Sequence, residues 1–365
     1  MTNYWNVIKN KFQKEDGIVS VGFSDIVGSG IAAVFWLYIA SVMNPDTYGE
    51  IHYFIAIAGM AQIISIIPTI ISCIIIIMIF NRFDAGLLAI GYVVFESVNS
   101  VILGRKFYRK YAKMILVQKS LTIFLGISFF YAFGPSGIIF ALALTFIPHL
   151  AIFIKEFQNT KINLALLKPR KNFIINNYLM KLSGGFGGQI DKIILAPLLG
   201  FSLLGNYSLA IQIFTILIIF SSVVFKYLLP QDASGASNRN LKKITIMTAI
   251  GISIFGILVL PKLITLVFPE FVEAADAIAI MSIAVIPEAI TMLYSSKMLG
   301  KEKSKVILAA KLLALSIIVI GFILLGPILG IIGLAIIFVA AVTLEAAMLA
   351  IADKIENGEQ NVKQY

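Results

Sequence analysis

An internal repeat is the feature that most limits how this chain can fold: residues 96–135 align without gaps with residues 288–327, a shift of 192. The informative matches are Glu96 with Glu288, Lys113 with Lys305, Lys119 with Lys311, and Gly134-Pro135 with Gly326-Pro327. A charged residue inside an apolar helix is costly in hydrocarbon, so its reappearance at the same place carries more weight than a match of leucines. The chain therefore contains two equivalent halves, an arrangement typical of alternating-access transporters.

The segment before each copy aligns with a different shift, of 156 residues. Its matches are Asp25 with Lys181, Gly28 with Gly184, Ala40 with Ala196, Gly49 with Gly205, and Ile55 with Ile211. The difference, 192 − 156 = 36, means that the first half lacks 36 residues between positions 55 and 96. We therefore predict an N-terminal lobe over residues 1–165, shortened around its second and third spans, and a C-terminal lobe over 166–365.

Composition places the chain in a membrane. Of its 365 residues 59% are hydrophobic and 13% are charged, whereas about 25% are charged in a soluble protein. Apolar runs long enough to cross the bilayer as helices recur along the chain, and the alternation of a barrel strand is missing. We predict an all-α polytopic membrane protein with about twelve transmembrane helices in two six-helix lobes.

The apolar stretch 51–80 is either one overlong helix or two short ones. One helix gives eleven spans and places the first basic segment outside. Two helices, with a break between Ser65 and Thr69, give twelve spans and put the matching corners of both halves on the same side. We favour two helices because only they agree with the distribution of basic residues.

The net charge of +10 comes from basic residues whose positions reflect the topology of the protein in the membrane. Lysine and arginine gather in alternate loops, for example 105–113 and 297–305, whereas the loops 42–49 and 133–136 have none. The positive-inside rule then places the basic loops and both termini in the cytoplasm of a multi-pass plasma membrane protein. The bilayer is the expected partner, and we expect no nucleic acid partner.

The loops argue against an enzyme. They are short and carry no Walker motif, paired carboxylates or His/Cys cluster, so we expect no catalytic residues, no metal and no cofactor. The lone cysteine, Cys73, excludes an intrachain disulfide.

Four helices carry polar stripes that cannot face lipid. Glu96 and Glu288 lie too deep for a short acidic side chain to reach the surface, so they are candidates for coupling transport to an ion, or else structural hydrogen-bonding groups. Lys119 and Lys311 either extend to the cytoplasmic surface or hold a phosphate in an inward-facing cavity. Asp25 and Lys181, which are equivalent under the shift of 156, either extend to the membrane surface or line a cleft between the halves. Asp191 and Lys192 form a local ion pair or join the same cavity.

Two stretches, residues 28–54 and 187–214, resemble the polysaccharide flippases of the multidrug/oligosaccharidyl-lipid/polysaccharide exporter superfamily. The shared pattern is an acidic and a basic residue, an apolar stretch, Leu-Gly and Gly-x-Tyr, here Asp191, Lys192, Gly200, Gly205 and Tyr207. The resemblance implies two six-helix lobes around a cleft that move a lipid-linked oligosaccharide to the outer leaflet. The chain departs from the family in its short first half and in having no arginine in the cavity-lining spans, which shifts phosphate binding to lysine.

Three functions remain open. The first is a flippase for polyprenyl-(pyro)phosphate-linked oligosaccharides, with Lys181, Lys119 and Lys311 facing the headgroup. The second is a multidrug or small-cation antiporter that uses Asp25, Glu96 and Glu288. The third is a non-transporting membrane partner of a glycan-assembly complex. The substrate glycan, the glycan-assembly partners and the driving force, whether an H⁺ gradient, an Na⁺ gradient or the membrane potential, are not specified by the sequence.

Overall fold

The computed structural model describes residues 2–63, 66–158, 175, 178, 182, 184–186, 188–235 and 238–362. Over these residues the chain is helical, with no strand. The prediction of an all-α polytopic membrane fold is confirmed. Lys181 lies outside the described residues, as does most of the start of the predicted seventh span.

The helices of the first half are α1 (Thr2–Ser41), α2 (Pro45–Ala61), α3 (Ile66–Phe80), α4 (Phe83–Gly104), α5 (Tyr108–Phe133), α6 (Gly137–Leu144) and α7 (Ile147–Gln158). Those of the second half are α8 (Ile190–Leu217), α9 (Ile219–Ala233), α10 (Arg239–Leu258), α11 (Leu260–Val267), α12 (Val272–Ser282), α13 (Val285–Gly300) and α14 (Ser304–Val362).

By length and apolar composition, seven helices among the described residues can cross a membrane, or eight if the bent pair α12 and α13 is one span. Two of the seven contain a break. Gly200 in α8 has φ 86° and ψ 169°, and Gly330 in α14 has φ 57° and ψ −141°. Glycine is the residue that adopts such angles without a steric penalty. At each of these glycines one long helix becomes two segments. The total of about twelve spans remains a prediction.

The stretch 51–80 forms two helices, as favoured from the sequence. Helix α2 ends at Ala61 and α3 begins at Ile66, so the break lies slightly before the predicted position. Pro68 falls in the first turn of α3, where the amide that proline lacks has no partner within the helix. The Thr69 hydroxyl donates to the Ala61 carbonyl at 2.9 Å and ties the two helices together.

The length difference between the halves lies in this region. The chain from 55 to 96 contains the rest of α2, then α3 and the start of α4. From 211 to 288 it contains the rest of α8, then α9 to α12 and the start of α13. Helices α2 and α3, of 17 and 15 residues, are therefore short for membrane spans.

The chain divides into two compact units, Met1–Tyr38 with Ile57–Asn176, and Ile39–Ala56 with Asn177–Tyr365. In the first unit the core between α4 and α7 contains Val94, Val98 and Ile102 with Phe153 against them. The second unit has a core in which Tyr207 and Leu204 pack on Phe322 and Leu334. The segment 39–56 packs with the second unit; the lobe boundary between 165 and 166 remains a prediction.

Candidate functional site

The second unit contains a cavity of about 530 Å³, which we call the C-terminal cavity. Helices α9, α13 and α14 form its charged and hydroxyl-bearing wall. The residues of this wall are Ser222, Lys226, Glu288, Thr291, Ser295, Lys311 and Glu345. It contains two of the residues that the repeat singles out, Glu288 and Lys311.

Glu288 reaches the cavity because the helix bends just before it. Helices α12 and α13 meet at an angle of 48°, and the Glu288 amide donates to the Ala284 carbonyl at 2.9 Å at the start of α13. A carboxylate in the first turn is favoured by the partial positive charge of a helix N-terminus. Thr291 and Ser295, three and seven residues further on, line the same cavity, as the predicted polar stripe requires.

Lys311 and Glu345 lie on the same helix, yet both line this cavity. They are 34 residues apart (345 − 311), which is about 50 Å along a straight helix. The left-handed conformation of Gly330 breaks α14 between them, so that the two parts fold back on each other. The break at Gly330 therefore builds this part of the site.

The four ionisable side chains in the lining of the cavity balance in charge, with Lys226 and Lys311 opposite Glu288 and Glu345. Glu288 is repelled by Glu345 and attracted by Lys311, and Glu345 is also attracted by Lys311. Lys311 is exposed, whereas both carboxylates are half-buried. The positive charge of Lys311 therefore offsets the repulsion between the two carboxylates.

The sequence patterns did not identify Glu345 or Lys226 as site residues. Glu345 is the only acidic residue between Glu302 and Asp353, so its isolation in an apolar helix was a signal equal to that of Glu288. Its equivalent under the 192-residue shift is Phe153, so the repeat does not point to it.

The first unit holds the other repeat-related candidates. The Tyr111 hydroxyl donates to the Asp25 carboxylate at 3.1 Å, and Glu96 is close enough to Tyr111 to interact with it electrostatically. The alkyl chain of Lys119 packs on Gly28, where an added Cβ would meet the lysine Cγ at 3.3 Å. Asp25, Glu96 and Tyr111 thus gather in one place. Their role in transport remains a prediction.

Asp191 and Lys192 form a local network at the start of α8 and are not among the residues that line the C-terminal cavity. Asp191 is 7% exposed; it accepts hydrogen bonds from the Tyr207 hydroxyl at 3.0 Å and the Lys192 amide at 2.8 Å. The Lys192 amine lies 3.5 Å from Asp191 and donates to the Gly188 carbonyl at 3.1 Å. The acidic residue and the tyrosine of the family-like pattern are therefore bonded to each other across the break at Gly200.

This bond should have a measurable cost when removed. Tyr207→Phe leaves the buried Asp191 carboxylate without one donor, which should destabilise the protein by about 1–3 kcal/mol. The purified variant should melt several °C lower in detergent, on the order expected for a unit of this size. Tyr227→Phe is the matched control, since Tyr227 is 55% exposed. Equal melting temperatures for the two variants would contradict the assignment.

Solved structures with this arrangement of helices are membrane transporters. An inward-facing structure of a multidrug resistance MATE family transporter of the MOP superfamily matches with a TM-score of 0.69 at 14% identity, covering 93% of this chain and 96% of that one. The chain has the fold of MOP superfamily transporters. The lipid II flippase MurJ in an inward closed conformation gives 0.64 at 13% identity, covering 94% and 81%.

A third similar structure is a MOP superfamily transporter from Pyrococcus furiosus, whose binding pocket has reversed polarity. It gives a TM-score of 0.54 at 14% identity, covering 95% of this chain and 86% of that one. No protein-family model and no curated protein matches the sequence. The MOP fold agrees with the superfamily that residues 28–54 and 187–214 resemble. The similar structures include a multidrug transporter and a lipid flippase.

Proposed function

We propose that this protein is a flippase that carries a polyprenyl-(pyro)phosphate-linked oligosaccharide from the cytoplasmic to the outer leaflet by alternating access. The observation that carries the proposal is the placement of Lys311 and Lys226 in one cavity with the hydroxyls of Ser222 and Thr291. Ammonium and hydroxyl groups are suitable donors for phosphate oxygens. The glycan would lie in the aqueous cavity while the polyprenyl chain stays in the bilayer.

The two carboxylates supply a means of coupling. While both are charged, they neutralise Lys311 and compete with a phosphate for it. When a proton or a small cation neutralises one of them, Lys311 gains positive charge toward the substrate. Cation uptake and anion binding should then support each other at this site, which is a coupling free energy in the usual sense.

A multidrug or small-cation antiporter is the second candidate, and the Glu288–Glu345 pair favours it. Two half-buried carboxylates can hold an organic cation, which would displace Lys311 instead of recruiting it. In that case substrate and proton compete for the same carboxylates. The two candidates therefore differ in the sign of the effect of acidification on substrate binding.

A reconstituted transport assay separates the two. In proteoliposomes, the protein should move a fluorescent polyprenyl pyrophosphate oligosaccharide between leaflets, with little uptake of the organic cation tetraphenylphosphonium. Lys311→Gln should lower the flipping rate about tenfold, because it removes a cation that faces the substrate phosphate, and a tenfold loss corresponds to about 1.4 kcal/mol. Exposed Lys305, on the same helix, provides the control variant Lys305→Gln.

The control should keep nearly full activity. Equal losses in Lys311→Gln and Lys305→Gln would remove the phosphate role of Lys311. Cation uptake without flipping would replace the proposal with the antiporter.

A further inference from the structure

The 36 residues that the first half lacks can be placed from the ends of the helices. Under the shift of 156, Ala61 at the end of α2 corresponds to Leu217 at the end of α8. Under the shift of 192, the next residue, Gln62, corresponds to Ile254. The residues without an equivalent are then 218–253, which comprise all of α9 and most of α10. The first half therefore has no counterpart of α9.

In the second half, α9 covers one face of α13. Val224 and Leu228 of α9 pack with Leu293, and the Ser296 hydroxyl donates to the Asp232 carboxylate at 2.7 Å. Under this cover Leu293 is 8% exposed and Ser296 is 0% exposed. A helix at this place thus closes the end of α13 that is predicted to be cytoplasmic.

The equivalent face of α4 is open. The shift of 192 places Val101 where the second half has Leu293, and Gly104 where it has Ser296. Val101 is half-buried, whereas Gly104 and the neighbouring Ser100 are exposed. A Cβ built on Gly104 would meet no atom of the described part of the chain within 4 Å. The surface that we call the α4 face consists of Ser97, Ser100, Val101 and Gly104.

The small residues of the α4 face favour a helix as its occupant. Ser97, Ser100 and Gly104 follow one another at spacings of three and four residues, so they form a shallow stripe along one side of α4. Small residues at such spacings allow a second helix backbone to approach closely in a membrane, and serine hydroxyls can hydrogen-bond across the contact. An acyl chain in the same place gains neither interaction.

The charge at the end of the α4 face indicates what the occupant carries. Lys106, just beyond the face, is exposed, and the Arg105 side chain is 50% exposed although it pairs with Glu156 at 2.7 Å. In the second half, α9 places the Asp232 carboxylate at the equivalent level. A carboxylate at the cytoplasmic end of the occupant would complement both cations. Two copies of this chain that met through their α4 faces would instead bring like charges together.

We propose that the α4 face binds a helix of a partner membrane protein, in the place that α9 occupies in the second half. The partner helix is apolar, has small residues where it faces Ser100 and Gly104, and carries a carboxylate at its cytoplasmic end. Such docking does not depend on what the protein transports, so it can be tested without a transport assay.

A peptide with the sequence of α9 serves as the probe. It contains residues 218–233, extended at its outer end with leucine and alanine to span the bilayer, and carries an acceptor fluorophore. The donor fluorophore is attached to Lys110→Cys in a Cys73→Ala background, because Lys110 is exposed. In phosphatidylcholine vesicles, energy transfer should saturate as the peptide is added. Transfer that rises only in proportion to the peptide, as random encounters produce, would overturn the proposal.

Gly104→Leu should raise the peptide concentration at half-saturation about tenfold, because a bulky side chain in the contact forces the helices apart. Gly251→Leu is the matched control, since Gly251 is also exposed and a Cβ there also meets nothing within 4 Å. Equal binding by these two variants would place the peptide elsewhere and refute the α4 face as its site. Asp232→Asn in the peptide should weaken binding to the unaltered protein, a result that no folding defect of the protein can produce.

Photo-cross-linking in native membranes tests the occupant itself. Benzoyl-phenylalanine at Ser100 should form an adduct with a membrane protein other than this one. The cross-linked segment should be an apolar helix with small residues and a carboxylate near its cytoplasmic end, and Gly104→Leu should abolish the adduct. Adducts with lipid alone, or with a second copy of this chain, would contradict the proposal.

Discussion

Replacing Glu288 and Glu345 together with glutamine should strengthen binding of an anionic headgroup about tenfold and make it independent of pH. With both carboxylates charged, the cavity lining is electrically balanced, and Glu288 and Glu345 both attract Lys311. Glutamine keeps the size of each side chain and removes its charge, so Lys226 and Lys311 then act on the substrate unopposed. A gain of this size corresponds to about 1.4 kcal/mol.

The sign of the pH effect follows from the same charges. Protonation of a carboxylate frees Lys311, so binding by the unaltered protein should strengthen as the pH falls, and the double glutamine variant should show no such change. The flipping rate of the double glutamine variant should drop, because a substrate that is bound tightly in both access states is released slowly. The measurement is titration of the purified protein with a polyprenyl pyrophosphate at several pH values, alongside the flipping assay.

Asp276→Asn is the control for this experiment, since Asp276 is an exposed carboxylate on the neighbouring helix α12. Binding that weakens as the pH falls in the unaltered protein would contradict the coupling scheme. Full transport by the double glutamine variant would reduce both glutamates to a structural role.

Asp232→Ala should be the most destabilising of these substitutions. The Asp232 carboxylate at the end of α9 lies 2.9 Å from the Lys242 amine of α10, and it accepts a bond from the Ser296 hydroxyl of α13 at 2.7 Å. Its side chain is 5% exposed, against 21% for Lys242. Alanine leaves a partly buried cation and a buried hydroxyl without this acceptor, which should cost about 2–4 kcal/mol.

For a unit of this size that loss corresponds to a melting temperature lower by about 5–10 °C, measured on the purified protein in detergent. Glu273→Ala, at an exposed position of α12, should change it little. Asp232→Asn combined with Lys242→Gln should be milder than Asp232→Ala, because no charge is left alone. If Asp232→Ala lowers the melting temperature by less than this range, water replaces the lost acceptor.

The repeat made part of this architecture predictable. Glu288 and Lys311 were identified because a charge retained in two apolar segments requires a reason, and the structure brings both to one cavity. The break within 51–80 followed from the distribution of basic residues.

The remaining features depend on how the helices are oriented and packed, which a sequence pattern does not specify. Glu345 enters the site only because α14 folds back at Gly330, and the direction in which its second part returns cannot be read from the sequence. The bond from Tyr207 to Asp191 spans 16 residues and a break, beyond the reach of helical periodicity. Asp25 and Tyr111, 86 residues apart, meet only through packing.

We expect the short helices α2 and α3 to affect the lipid around them. With 17 and 15 residues they are about 25 and 22 Å long, less than the roughly 30 Å of hydrocarbon in a typical bilayer. The outer face of α3 is apolar, with Met78 79% and Ile79 68% exposed, so its contact with acyl chains is direct. Hydrophobic mismatch of this kind thins the bilayer beside a protein. A polar headgroup that crosses next to this hairpin would meet a thinner, less insulating layer than it would elsewhere along the protein.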